Sequence, residues 1–196
     1  MDRIGKRRST NRGVMFFSLL LAAVWMLAGC VVAEHKISLQ RHLYKPEIPK
    51  DIVSFYSGKS VDLNDFVNND QKTKRYAYFS TDTKTAYEVS VPLDYFVMDC
   101  FRDAMWMAGM QVAHLSPISQ IPDLKLIIDR WTEEEFTFSI RIERDGVLKY
   151  KNQYTIKTAQ VSDPKDFAQK EKNAYATVNQ AVVAVLRDPG VKAAFK

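Results

Sequence analysis

Residues 136–143, Phe-Thr-Phe-Ser-Ile-Arg-Ile-Glu, alternate apolar and polar side chains without a break. Successive side chains of a β-strand point to opposite faces, so this alternation predicts a strand with one face in a hydrophobic core. Asp145 and Gly146 follow, and an Asp-Gly pair is typical of a two-residue hairpin turn. Leu148, Tyr150, Tyr154 and Ile156 predict the return strand, although Asn152 interrupts its apolar face. The stretch therefore predicts an antiparallel hairpin.

Further strands are predicted before this hairpin. Residues 123–131 carry apolar side chains on both faces, which indicates a strand in a central position of the sheet. Residues 76–81 and 86–91 are rich in aromatic and β-branched residues and predict a second hairpin. Residues 52–56 predict a first strand, and residues 61–66 predict a short strand or an irregular edge.

Two long helices are predicted from apolar residues that recur every three or four positions. The first begins at Pro92, carries its apolar stripe along residues 93–108 and stops at Gly109. The second begins near Asp163, and residues 191–195 add a short turn after its end. Strands, a helix, three strands and a helix in that order predict an α+β fold, with both long helices packed on one face of a mixed or antiparallel sheet.

The first 29 residues have the composition of an export signal. Five Lys or Arg residues precede an apolar run at 14–26, which is too short for a comfortable membrane span. The next residues, Leu27, Ala28, Gly29 and Cys30, resemble the lipobox of bacterial lipoproteins. That resemblance implies that a signal peptidase recognises the first three residues and cuts before Cys30. It also implies a diacylglyceryl group on the Cys30 thiol and a fatty acyl chain on the new amine.

A lipid-modified Cys30 would hold the mature chain on a bilayer, since each buried methylene contributes roughly 0.8 kcal/mol. Val31 follows the cysteine where an aspartate commonly retains Gram-negative lipoproteins in the inner membrane, so we expect the periplasmic face of the outer membrane. The alternatives are an uncleaved anchor helix and a plain secretory signal. Residues 30–50 carry prolines and charges with little periodicity, and they predict an extended tether before a single domain at 51–196.

Charge and cysteine content exclude several functions. The net charge of +5 comes largely from the export signal, and residues 30–196 hold 23 basic and 22 acidic side chains. A near-neutral domain lacks the basic footprint of a nucleic-acid-binding protein. Once Cys30 is acylated, Cys100 is the only thiol left, so no intramolecular disulfide can form. Its position on the apolar face of the first long helix predicts a buried side chain rather than a reactive thiol.

The sequence contains no assembled catalytic or metal-binding motif. Residues 58–60, Gly-Lys-Ser, lack the earlier glycine of a phosphate-binding loop, because Val53 occupies that position. The three histidines stand apart from one another. Asp99 and Asp103 are expected to lie on the polar face of a helix, and Glu133–Glu135 to be solvated charges at a turn. We therefore expect a protein that is not an enzyme and has no cofactor beyond its covalent lipid.

Met105, Trp106 and Met110 belong to the most unusual local composition of the chain. Flexible methionine and flat tryptophan side chains suit an adaptable apolar groove, so these three residues are candidates for a surface that binds a lipid or a partner protein. Met107 falls on the core stripe of the same helix. Ordinary core packing of the whole segment is the alternative.

The chain also resembles the YajG-type envelope lipoproteins and, more distantly, the PqiC-like auxiliary lipoprotein components of ABC-type transport systems. The resemblance rests on the lipobox, on Ala108-Gly109-Met110 at a helix end, on the strand at 124–128 and on the hairpin at 145–146. A final helix with apolar residues at 182–186 before Asp188-Pro189 completes it.

This resemblance implies an α+β periplasmic domain with no known catalytic residues. For the transport-associated relatives it implies a role beside lipid-trafficking machinery. We therefore expect a membrane-anchored, non-enzymatic binding or accessory component of the cell envelope, held on the bilayer by Cys30, with an envelope protein as its partner. The alternative is an auxiliary subunit of an ABC-type lipid transport system that binds an apolar ligand.

Overall fold

The computed structural model describes residues 35–70, 76–80, 84–113 and 121–196. The export signal, Cys30 and His114 lie outside the described residues, so the expectations that concern them stay predictions. Glu34–Lys196 forms one compact unit. Within the described part of the chain, no helix combines the length and apolarity needed to span a bilayer.

Eight strands and four helices occupy the described residues. The strands are β1 (His35–Leu39), β2 (Ser60–Asn68), β3 (Tyr76–Ser80), β4 (Thr85–Val89), β5 (Gln111–Ala113), β6 (Asp123–Trp131), β7 (Glu135–Arg144) and β8 (Val147–Lys157). The helices are α1 (Lys50–Tyr56), α2 (Leu93–Met107), α3 (Phe167–Arg187) and α4 (Pro189–Ala194). A 3-10 turn at Arg41–Leu43 follows β1.

The strands form two sheets, a smaller one in the order β1-β4-β3 and a larger one in the order β5-β2-β6-β7-β8. β1 runs parallel to β4, and β2 runs parallel to both of its neighbours, whereas β3-β4 and β6-β7-β8 are antiparallel. The predicted α+β class is confirmed. The hairpin at Asp145 and Gly146 is confirmed as well, and both residues have the positive φ that its tight turn requires.

The core lies between the larger sheet and the two long helices. The alternating apolar side chains of β7 are all buried, as are Leu124, Leu126 and Ile128 of β6. The ring of Phe101 in α2 meets the ring of Phe138 in β7 edge-on, at 6.3 Å between centroids. α3 contacts both β8 and α2. The predicted stripe of α2 therefore faces the sheet, as its spacing indicates.

The structure corrects the tether predicted for residues 30–50. β1 pairs along its length with β4, and Ile37, Leu39 and Tyr44 are buried in the core. The domain therefore includes the chain from His35 onward. Composition missed this strand because its parallel partner lies far along the sequence, and a parallel pair leaves no hairpin signal between its strands.

Three further predictions need correction. Residues 52–56 form part of α1 and not a strand: Ile52 and Tyr56, four positions apart, are buried. A short apolar run does not distinguish a strand from one face of a helix. The strand at 61–66 is no edge, because β2 lies between β5 and β6.

α3 begins at Phe167 rather than near Asp163. The side chain of Asp166 caps the helix by accepting a hydrogen bond from the Gln169 amide at 2.9 Å. The predicted start was early because Asp163 is followed by a proline, which suits the first turn of a helix equally well. Residues 111–113, for which no strand was predicted, form the short edge strand β5.

Candidate functional site

A polar cleft of about 460 Å³ opens where β6 and β8 end and α3 begins. The smaller sheet contributes Tyr78, Ser80 and Tyr87 to its lining. The connection between β6 and β7 contributes residues 132–134, and the first turn of α3 contributes Lys170. Residues 158–161 and Pro164, after β8, also line it, so five separate parts of the chain meet at this cleft.

Glu133 lies at the centre of the cleft and accepts hydrogen bonds from three side chains. The Tyr87 hydroxyl donates to Glu133 Oε1 at 2.7 Å, and Lys170 Nζ donates to the same oxygen at 3.0 Å. Ser80 also hydrogen-bonds this carboxylate. Burial by itself would raise the pKa of Glu133, but the three hydrogen bonds outweigh burial and hold the pKa below its usual value. Glu133 is therefore a carboxylate at neutral pH.

The turn between β6 and β7 explains why Glu133 points inward. The amides of Glu134 and Glu135 both donate to Thr132 Oγ1 at 3.2 Å, which fixes the turn. Glu135 binds Lys157 at 2.6 Å, outside the cleft. The expectation that all three glutamates are merely solvated is wrong for Glu133. The sequence did carry a signal of a buried charge partner, because Lys170 interrupts the apolar stripe of α3.

The wall of the cleft on the smaller sheet is aromatic. The ring of Tyr78 stacks on that of Tyr87 at 3.9 Å between centroids, and the ring of Trp131 lies 5.4 Å from Tyr78. Burial raises the pKa of both tyrosines well above the usual value. Both phenols are therefore neutral and keep their protons for hydrogen bonding.

The residues predicted as an apolar surface do not form a groove. Met105 and Met110 are buried, at 0% and 4% exposure, whereas Trp106 and Met107 are 52% and 60% exposed. The prediction is wrong for both buried methionines and for Met107. Met105 continues the core stripe four positions after Phe101, which turns Met107 toward the surface.

The acidic pair of α2 is held by ion pairs. The Arg41 guanidinium donates to both oxygens of Asp103, at 2.8 and 3.2 Å. Its Nη1 lies 3.5 Å from Asp99, and Arg102 also pairs with Asp99. These contacts fasten the 3-10 turn after β1 to the helix. They account for the two carboxylates without any acid-base chemistry.

Cys100 is fully buried, as predicted, and burial raises the pKa of its thiol well above the usual value. It is therefore unreactive in the folded protein. His35 and His42 lie exposed on β1 and the 3-10 turn. Among the described residues, no three His, Cys, Asp or Glu side chains form a group that could hold a metal ion.

Comparison with known proteins identifies structures of the same fold. No family model and no curated protein matches the sequence. The crystal structure of protein XCC0632 from Xanthomonas campestris, assigned to family model DUF330, has a TM-score of 0.56 at 9% identity, over 76% of this chain and 92% of that chain. A second structure, of an uncharacterized protein, has a TM-score of 0.54 at 15% identity, over 79% and 98%. At these identities the chain shares the fold of a DUF330 protein from a bacterium.

Proposed function

We propose that this chain is a lipid-anchored lipoprotein of the bacterial cell envelope that acts by binding another envelope component and not by catalysis. The observation that carries the proposal is the order of basic residues, an apolar run and Leu27-Ala28-Gly29-Cys30 at the N-terminus. A fold shared with a bacterial protein is consistent with this assignment. On this proposal, the surfaces that bind the other envelope component lie on the described domain.

The exposed face of α2 supports a protein partner. Tyr95, Trp106 and Met107 are all exposed large apolar residues of this helix. Tyr95 and Trp106 are eleven positions apart, about three helical turns, and therefore share one face. Aromatic residues and methionine are enriched at protein interfaces. The alternative function is that of a transport subunit that binds an apolar ligand. The groove predicted for that ligand is absent from the described residues, because Met105 and Met110 lie in the core.

The lipid anchor is tested by comparing Cys30→Ala with Cys100→Ala in cells labelled with radioactive palmitate. We expect the wild-type protein and Cys100→Ala to incorporate palmitate, to be cleaved and to fractionate with the outer membrane. The Cys30→Ala variant should remain an unlabelled precursor, because it lacks the thiol to which the lipid is joined. Palmitate incorporation and normal cleavage in Cys30→Ala would contradict the proposal. Fractionation of the labelled protein with the inner membrane would contradict the outer-membrane location.

A further inference from the structure

The polar cleft carries two cationic and two anionic side chains in its lining and therefore has no net charge. Lys170 and Glu133 pair with each other at its base. Arg130 and Glu134 are the exposed charges of the lining. The only ion pair of Arg130 with a described residue, to Glu135, is long at 3.8 Å. No described residue pairs with the Glu134 carboxylate. A cation and a carboxylate are thus both accessible to a ligand.

The base of the cleft has unused hydrogen-bonding capacity. Lys170 is only 6% exposed, and an ammonium group has three donors. Its described partners are Glu133 Oε1 and the ring of Phe167, 6.0 Å from Nζ. Glu133 already accepts three hydrogen bonds, so its charge is satisfied within the protein. An oxygen-rich anion could bind Lys170 and Arg130 together, whereas an ammonium group would suit Glu134.

The cleft is large enough for a headgroup. Its volume of about 460 Å³ falls within the range of roughly 300–1,000 Å³ that is usual for small-molecule sites. Ser80, Thr132 and Thr158 line it beside the two stacked tyrosines. This polar lining suits a headgroup and leaves acyl chains outside.

The cleft lies at the end of the domain where the described chain begins. His35 pairs with Thr85, and Thr85 pairs with Ser80, which lines the cleft. The His35 ring also lies 4.5 Å from the ring of Phe167, the residue beside Lys170. The start of β1 and the cleft therefore share one end of the domain.

The length of chain between the anchor and the domain limits their separation. Five residue steps join Cys30 to His35, and an extended chain covers at most about 3.6 Å per residue, or ~18 Å. If Cys30 is lipidated as proposed above, the end of the domain that carries the cleft lies close to the bilayer surface.

The geometry points to a ligand for this cleft: a small phosphate ester that carries a primary ammonium group, which is the chemistry of a zwitterionic phospholipid headgroup. The phosphate binds Arg130 and Lys170, and the ammonium group binds Glu134. Presentation of this headgroup by the bilayer rests on the proposed lipid anchor. Recognition of the charges of the headgroup by the cleft does not depend on that anchor.

The first test titrates the purified protein, in detergent and whether or not it is lipidated, with glycerophosphoethanolamine by calorimetry. Glycerophosphoglycerol, which keeps the singly charged phosphodiester but has no ammonium group, and ethanolamine, which has only the ammonium group, serve as comparison ligands. We expect saturable binding of glycerophosphoethanolamine and binding of each comparison ligand that is weaker by roughly tenfold or more, because one charge-assisted contact is lost. Equal affinity for glycerophosphoglycerol, or no binding of the full headgroup, would overturn the proposal.

A matched pair of arginine variants locates the site. Arg130→Ala should weaken binding roughly tenfold or more, and Arg187→Ala should leave it unchanged. The two arginines are alike, at 63% and 54% side-chain exposure with one long ion pair each to a described residue, and Arg187 lies outside the cleft. Both variants should melt as the wild type does, since both side chains are exposed. Equal binding by the two variants would overturn the assignment to this cleft.

The source of the headgroup is tested in lipid discs. Discs of phosphatidylethanolamine should block binding of the soluble probe by the anchored protein, whereas discs of phosphatidylglycerol should not. Undiminished binding in both discs would overturn the membrane source and leave a free zwitterionic phosphate ester as the ligand. The titration in detergent does not depend on the anchor, so failure of lipidation and failure of the cleft give different results.

Discussion

At the scale of single residues, Asp188 joins β8 to α4 through one carboxylate. The hydroxyls of Tyr150 and Tyr154 on β8 each donate to Asp188 Oδ2 at 2.7 Å. Asp188 Oδ1 accepts from the Gly190 amide at 2.7 Å and so caps α4. Asn152, which interrupts the apolar face of the return strand, also donates to Asp188. The sequence indicates Asp188 only as a helix end, because its partners on β8 lie more than thirty residues away.

Asp188→Ala should destabilise the domain by about 2–4 kcal/mol, because it removes a helix cap and the acceptor of two tyrosine hydroxyls. Asp51→Ala is the control: Asp51 makes one exposed ion pair at 3.5 Å, so its loss should cost less than about 1 kcal/mol. Chemical denaturation of both variants measures the difference. Equal stability of the two variants would contradict the role of Asp188.

The contribution of Asp188 should depend on pH. Burial would raise its pKa, but the hydrogen bonds from Tyr150, Tyr154 and two backbone amides lower the pKa below its usual value. A lowered pKa stabilises the folded state above the unfolded value of about 3.9 and loses that effect as pH falls through the folded pKa. The stability difference between the wild type and Asp188→Ala should therefore shrink below about pH 4.

In the cleft, Glu133 resembles Asp188 in that one carboxylate accepts several side-chain hydrogen bonds. Glu133→Gln should destabilise the domain by about 2–3 kcal/mol, because it leaves the Lys170 ammonium buried without its carboxylate. Glu134→Gln, on the next residue of the same turn, should change stability by less than about 0.5 kcal/mol, since that side chain is exposed. A thermal melt of both variants at neutral pH makes the comparison. A neutral effect of Glu133→Gln would show that the pair does not stabilise the fold.

At the scale of elements, the hairpin of β7 and β8 was predictable because its signals are local. Alternation fixes which face of β7 is buried, and the Asp-Gly turn fixes its return. The start of β1 and the helix α1 were not predictable in this way. β1 is stabilised by pairing with β4, and residues 52–56 are too short for a helical period to be distinguished.

Phe138→Ala tests the buried face of β7. Phe138 is fully buried and its ring contacts those of Phe101, Phe136 and Tyr154. We expect a loss of about 3–5 kcal/mol in the free energy of unfolding. Leu148→Ala, on the exposed part of β8, should cost less than about 1 kcal/mol. An unchanged denaturation midpoint for Phe138→Ala would contradict the packing of this face.

At the scale of the whole domain, the cleft and the exposed end of α2 lie at opposite ends of the larger sheet. Gln111, four residues after the end of α2, pairs with the start of β2, and Asp62 of β2 pairs with Asp123 at the start of β6. The cleft begins at Arg130, near the end of β6. The nine residues of β6 span roughly 26 Å at about 3.3 Å per residue.

The fold class was predictable from sequence, but the cleft was not. The spacing of apolar residues indicates which faces of α2, α3 and β7 are buried, and this information is enough to predict an α+β fold. The cleft needs Tyr87, Glu133 and Lys170 to converge from separate elements, and no local pattern encodes that convergence. The exposed end of α2 was predicted only in part, because the last turn of the helix places Met105 in the core and Met107 at the surface.

On the proposed assignment, Cys30 holds the cleft end of the domain against a bilayer. The most direct measurement places a spin label at Glu134→Cys or at Met107→Cys in the lipidated protein and records its relaxation by paramagnetic lipid headgroups. Cys100 is buried and does not compete for the label. We predict strong relaxation of the label at position 134 and little at position 107. Equal relaxation at both positions, or stronger relaxation at position 107, would contradict the account.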